Sequence, residues 1–290
     1  MRTMSSEPRR SPVLLSLSLL LLFAGTAPAD YAWLSAAAQG GTLAERIAPP
    51  PGFRRISAPA GSFTAWLRGL PLHPGRPPVH LYDGRLKGNQ EAHHAVVRLD
   101  VGARDLQQCA DAVMRLRAEF LRDRGCDEDI AFRFTSGDRA AWTDWRRGLR
   151  PRIHGSQVTW RSAAAADGSY ASFRRYLETV FTYAGSSSLS RELEKVADPA
   201  RVAPGDVFVQ GGFPGHAVLV ADIAEDGRGR RAFLLLQSYM PAQEVHVLRN
   251  PADPASPWYP ARSSGVLETP EWVFHHEDLR RFPAPRSCGS

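Results

Sequence analysis

Apolar and polar positions alternate along this chain with two periods, and the changes of period mark out its elements. Phe63, Trp66, Leu67 and Leu70 recur three and four residues apart behind Ser62, a good N-cap, which predicts a short helix through Leu70. Asp105 stands before a longer run of the same period to about Arg122, where Leu106, Cys109, Val113, Leu116 and Phe120 form one apolar stripe. A third helix is predicted from Ser169 to Ala184, stopped by Gly185. Strand-like runs lie at Val79–Tyr82, His94–Val101, Ile130–Thr135, Val207–Gln210, from His216 onward, and at Arg231–Ser238, Glu244–Leu248 and Glu271–His275. Trp142 to Trp160 is rich in tryptophan and interrupted by Gly148 and Pro151. The pattern reads as one α+β domain over residues 52–285, with helices packed on an antiparallel sheet and an N-terminal α/β embellishment. Gly40 to Pro51, which closes on three prolines, reads as part of a flexible lead over residues 30–51.

The first 29 residues have the order of an export signal. Arg9 and Arg10 precede an apolar run from Val13 to Phe23, and Ala27-Pro28-Ala29 offers small residues for cleavage after Ala29. That run is too short to span a bilayer comfortably, and no other segment approaches the roughly 20 apolar residues needed. A periplasmic or secreted protein without an integral membrane segment is therefore expected. The formal charge is +6, of which Arg2, Arg9 and Arg10 against Glu7 supply +2, leaving +4 from Asp30 onward. The basic residues are almost all arginine, with Lys87 and Lys195 as the lysines, and they are spread without a dense cluster, which argues against nucleic acid as a partner.

Three cysteines leave at least one unpaired within a monomer. Cys109 and Cys126 stand about 25 Å apart if the residues between them are helical, beyond disulfide reach. Cys126 with Cys288 is the bridge that remains, leaving Cys109 as a free thiol. The adjacent pairs His93-His94 and His275-His276 point to opposite faces of a strand and make no metal clamp, so neither a metal nor a cofactor is expected. His246 reads as a surface residue. Trp142, Trp145, Trp160 and Trp258 have two readings, sugar-stacking platforms or core.

One stretch looks built for chemistry. Pro204-Gly205-Asp206 turns into an apolar strand, Val207–Gln210, and Gly215 bends the chain before His216 opens the next strand. If Asp226-Gly227 is a two-residue hairpin turn, Glu225 pairs with Arg228, and counting outward sets His216 opposite Gln237, on the same face of the sheet. The Gln237 amide oxygen then receives an imidazole N–H. A three-residue loop centred on Arg228 shifts the register and removes this pairing, leaving Gln237 as a polar strand end.

The strings Asp105-Leu106-Gln107-Gln108-Cys109-Ala110-Asp111, Gln210-Gly211-Gly212-Phe213-Pro214-Gly215-His216-Ala217 and Gln237-Ser238-Tyr239-Met240-Pro241-Ala242-Gln243 resemble an uncharacterised bacterial family, domain of unknown function 4846. The likeness covers about Gly52 to Pro283 and implies no activity. The Pro-Gly-Asp strand, the Gly-His strand and the strand ending in a polar residue more loosely resemble the second half of NlpC-type and CHAP-type cell-wall amidases. That resemblance implies a papain-like fold and a triad: a cysteine at a helix N-terminus, a histidine on the facing sheet and a polar residue orienting the imidazole. Cys109, His216 and Gln237 are the candidates, with Gln107 or Gln108 as an oxyanion donor. Cys109 has a second reading as a buried structural residue of the apolar stripe. Taken literally, the NlpC-type pattern puts Gly168 where the nucleophile belongs, beside Ser169, which reads as a serine nucleophile or simply as a helix N-cap. The functional expectation is a cysteine amidase or peptidase acting on peptidoglycan peptides. The alternative is a noncatalytic envelope module that keeps the cleft and binds peptidoglycan or a protein partner.

Overall fold

The computed structural model describes residues 31–34, 40–286 and 288. The expected export signal and its cleavage site lie outside the described residues. Thr42 and Glu45 form a reciprocal capping box that starts α1 (Leu43–Arg46). Tyr31, Leu43 and Ile47, three residues of the stretch read as a flexible lead, are buried in the core. After β1 (Phe53–Arg55), Ser62 caps α2 (Phe63–Arg68) by accepting from the Ala65 N–H. The Val79–Tyr82 run makes only isolated bridges, and β2 (His93–Val96) follows.

The long helix α3 (Cys109–Asp123) begins later than the sequence suggests, with Gln108 rather than Asp105 at its N-cap. The Asp105 carboxylate is engaged elsewhere: Oδ1 accepts from the Ala242 N–H at 2.7 Å and from Gln108 Nε2 at 3.0 Å. The tryptophan-rich stretch is composite. A hairpin of β3 (Ala131–Arg133) and β4 (Arg139–Ala141) leads into α4 (Trp142–Arg146), and Gly148 opens a second hairpin, β5 (Leu149–His154) and β6 (Gln157–Ser162). Trp142, Trp145 and Trp258 are core residues, and Trp160 is partly buried against it. Next come α5 (Tyr170–Tyr183), α6 (Ser186–Glu192), β7 (Glu194–Lys195), β8 (Val207–Gln210), β9 (His216–Asp226), β10 (Arg231–Gln237), β11 (His246–Leu248), β12 (Tyr259–Pro260), the hairpin β13 (Val266–Glu268) with β14 (Val273–His275), and β15 (Leu279–Arg281).

The fold is mixed α+β, with six α-helices and a nine-stranded antiparallel sheet among the described residues. Its strand order is β2-β11-β10-β9-β8-β15-β7, with β1 added to β9 and β12 to β10. The N-terminal segment is thus no embellishment, since β1 and β2 belong to this sheet. One face, carrying Val209, Ala217, Leu219 and Leu236, packs against the helices. The other, carrying Phe208, Val218, Val220, Phe233 and Leu235, is covered by Leu267 and Phe274 of the β13–β14 hairpin. Cys126 and Cys288 form a disulfide that ties the C-terminal tail to the end of α3. No helix among the described residues is long and apolar enough to cross a membrane.

The β9–β10 register departs from the expected one twice, each time by an odd step, so the face is restored with the pairing displaced by two residues. The hairpin closes on three residues, Gly227-Arg228-Gly229, so Arg231 faces Glu225 and Leu234 faces Asp222. That shift alone carries Gln237 to the helix-facing side, away from His216. A β-bulge at Ala221 then resets the pairing to Leu235↔Val220 and Leu236↔Leu219. One residue further, Gln237 lies across from Val218, on the same face as His216 and diagonal to it.

The bulge also turns Asp222 towards the helices, where it is fully buried between Arg55 Nε at 2.5 Å and Arg68 Nε at 2.7 Å. Removing one partner of a buried ion pair typically costs about 3–5 kcal/mol. Asp222→Ala is therefore expected to lower unfolding stability by about that amount in urea denaturation. A loss below about 1 kcal/mol would show that the bulge is held by something else.

Candidate functional site

His216 opens β9 directly after the Gly211–Gly215 loop, which lies against α6. A Cβ at Gly211 would collide with Ser190 Oγ, and one at Gly215 with Ser186 Oγ and the Gln210 carbonyl, so only glycine permits this approach. The imidazole is 1% exposed and packed among Tyr239, Trp272 and Phe274, with ring centroids 4.8, 5.2 and 5.7 Å away. Trp272 is held in place by its indole N–H, which donates to Gln210 Oε1 at 2.9 Å.

His216 Nε2 lies 2.9 Å from Gln237 Oε1, the contact expected from the sequence but reached by a different register. The amide is fixed from its other end, because Gln237 Nε2 donates to Glu271 Oε2 at 2.7 Å and stands 3.5 Å from His246 Nε2. His246 Nδ1 lies 2.8 Å from the Glu244 carbonyl and must donate to it, leaving Nε2 as a lone pair that suits the second amide hydrogen. Glu271 is in turn ion-paired with Lys87, which is buried and sits 5.7 Å over the Tyr239 ring. The amide therefore presents its oxygen, and only its oxygen, to His216. It follows that His216 Nε2 carries the proton and Nδ1 is a bare acceptor. Among the described residues Nδ1 makes no hydrogen bond to protein.

Cys109 is the first residue of α3, not its fourth, so its sulfur lies among the free amides of the helix start. The backbone N–H of Ala217, next to His216, also favours the thiolate, and the Cys109 charge is felt by Tyr239. Cys109 thus lies near the Ala217 backbone, and Tyr239, which packs on the His216 ring, also feels the Cys109 charge. The thiol is partly exposed, and no hydrogen bond joins it to the imidazole among the described residues.

Its protonation runs opposite to the expected dipole effect. Burial, then the nearby Asp111 carboxylate, pushes the Cys109 thiol up to about 11, against the amides of Ala110, Ala217 and Cys109. Asp111 is itself raised well above the carboxylate range by burial, and a neutral Asp111 relaxes its part of that push. Burial pulls His216 down to about 4, against the Gln237 hydrogen bond, and pulls His246 down to about 3. The resting pair is a neutral thiol and a neutral imidazole.

Other candidates take structural roles. Gln107 donates to the Asp100 carbonyl at 3.2 Å and accepts from the buried Arg115, so it is no free oxyanion donor. Gln108 is tied to Asp105 at 3.0 Å. Ser169 Oγ accepts from the Ser172 N–H and caps α5, and the Gly168 carbonyl accepts from Arg122. His246, read as a surface residue, is fully buried beside Gln237 because β11 is an inner strand, flanked by β10 and β2. Lys87, Glu271 and Tyr239 were not foreseen. The scarcity of lysine was a signal for Lys87, but the pairing of Glu271 with Gln237 spans 34 residues and depends on tertiary structure.

A family model described as domain of unknown function (4846) matches residues 43–281, and the chain belongs to that family. No curated protein and no solved structure matches the chain.

The buried His216 and His246 imply a definite acid sensitivity. In the unfolded chain each takes a proton near pH 6.5, whereas in the fold His216 resists to about 4 and His246 to about 3. Between those limits the unfolded state binds more protons, so stability falls as pH drops from about 6.5 to about 4, by on the order of 3 kcal/mol per histidine. Urea titrations across that range should show a shallower dependence in His216→Asn than in the parent chain. Equal slopes would place the His216 pKa near its ordinary value.

Proposed function

We propose that the chain is an exported hydrolase of papain-like build, a cysteine amidase or peptidase acting on cell-wall peptides. The observation that supports this reading is the directed chain Lys87–Glu271–Gln237–His216, which leaves Nδ1 of His216 as a bare acceptor, together with a helix-terminal cysteine near the Ala217 backbone. In this mechanism Nδ1 takes the Cys109 thiol proton as the sulfur attacks the amide carbonyl. The tetrahedral oxyanion is received by the Cys109 N–H and the Tyr239 hydroxyl, which burial, then Glu271 and Cys109, keep protonated by raising its pKa. The imidazolium returns its proton to the leaving amine, and water releases the acyl group from sulfur. Phe213, 88% exposed, and Met240, 60% exposed, flank the site in sequence and offer apolar contacts to a substrate.

A second reading, a noncatalytic envelope module binding peptidoglycan or a protein partner, is favoured by the protonation states. Burial raises the thiol and lowers the imidazole, so a proton passes from one to the other only if substrate binding rearranges the site.

Mass spectrometry of muropeptides incubated with purified protein separates the readings. The hydrolase reading expects new amide-cleavage products, lost by at least about 1,000-fold in Cys109→Ser and His216→Ala and reduced about 10- to 100-fold in Gln237→Ala. Retained muropeptide binding with no cleavage by any variant would select the binding module.

Iodoacetamide labelling reports on the same site. Cys109 modification should be slow at pH 7 and still rising at pH 10. A rate that levels off near pH 7 would contradict the neutral resting pair.

A further inference from the structure

Away from His216, the outer face of α5 and the start of β5 enclose a cavity of about 520 Å³ lined by Arg104, Arg150, Arg175, Thr179 and Tyr183. Three guanidinium groups face it, and Glu178 is the one carboxylate in its wall. Arg104 makes a long contact with Glu178 at 3.5 Å, and Arg175 reaches out to Asp167 at 3.1 Å. Arg150 has no carboxylate within ion-pair distance among the described residues. Its Nη1 donates to the Trp145 and Leu149 carbonyls, each at 2.7 Å, and its guanidinium lies 3.8 Å from the centre of the Trp145 ring. This stacking fixes the guanidinium and leaves its remaining N–H groups free. Burial, then the charge of Arg175, lowers the Arg150 pKa against the opposing pull of Asp167, which places two like charges close together with one carboxylate near both. Arg161 stands directly across from Arg150 in the β5–β6 ladder and adds positive charge to the same face.

Arg175 is paired with Asp167 and Arg104 with Glu178, whereas Arg150 is held by carbonyls and ring stacking alone, so the cavity keeps one guanidinium that an anion would offset. The hydroxyls of Thr179 and Thr182 donate back to their own helix, so the recognition available here is that of the guanidinium forks. The volume falls within the roughly 300–1,000 Å³ of small-molecule sites, larger than one phosphate requires. We infer that this cavity binds a small ligand carrying two or more oxyanions, carboxylate or phosphate, held by Arg150 and Arg175 with Tyr183 against its apolar body. None of these residues touches the His216 site, so the inference stands independently of the hydrolase reading.

Titration calorimetry on the full chain at low salt, with inorganic pyrophosphate and with diglutamate and diglutamine that are acetylated at the N-terminus and amidated at the C-terminus, tests it. At least one dianion should bind ten-fold or more tightly than the neutral diglutamine, and more weakly as salt is added. Preference for pyrophosphate assigns a phosphate ligand, preference for diglutamate a carboxylate ligand, and both support the site. Arg150→Gln and Arg175→Gln should each weaken binding at least ten-fold, while Arg228→Gln, an equal charge change at a distant exposed turn, should not. If Arg150→Gln fails to fold, the exposed Arg175 carries the test. No preference for a dianion over diglutamine, or an equal loss in Arg228→Gln, overturns the inference.

Discussion

The bulge at Ala221, clamped by the buried Asp222 between Arg55 and Arg68, is the constraint on which the site depends. A side chain on a strand changes face with each single-residue slip, so His216 and Gln237 meet only if the slips between them add to an even number. The three-residue hairpin supplies an odd shift and the bulge a compensating one. The clamp joins β1 and α2 to β9, so the N-terminal segment sets the register of a histidine far along the chain. Arg55 also donates to the Ile47 carbonyl, so the clamp reaches back to the residue that ends α1.

Given that register, the remaining chemistry follows from hydrogen-bond direction. A glutamine amide is ambiguous until its neighbours are known. Here Glu271 and the lone pair of His246 both claim the nitrogen, so the oxygen faces His216 and selects its tautomer. Lys87 balances the Glu271 charge in a setting where an unpaired carboxylate would be costly. The aromatic walls that exclude water from the imidazole also hold it neutral, which suits a proton acceptor but leaves the thiol neutral as well.

Much of this was legible in the sequence. The Gly-His strand, the Ser62 and Ser169 caps and the Cys126–Cys288 bridge follow from local rules of turn, cap and covalent geometry, whereas the Gln237 contact is made only because the bulge restores the face that the three-residue loop removes. The start of α3 was misplaced because Asp105, a good cap by type, spends its carboxylate on Ala242 in a distant loop. The hairpin register was misread because Asp226-Gly227 favours a two-residue turn in isolation, whereas Asp226 bonds the amides of Arg228 and Arg230 around a longer one. Burial of Cys109 outweighs the helix amides, and burial is a property of the packed fold. Glu271 and Lys87 act on Gln237 only through tertiary contact, so periodicity carried no trace of their roles.

The central claim is that Gln237 holds His216 with its proton on Nε2 and a bare Nδ1. Long-range ¹H–¹⁵N correlation spectra of the imidazoles at pH 7, with His216 identified by the signals missing in His216→Asn, measure this directly. The account predicts a neutral ring with the proton on Nε2 and a nitrogen shift at Nδ1 typical of an unprotonated acceptor. A proton on Nδ1, or a charged ring at that pH, would contradict it.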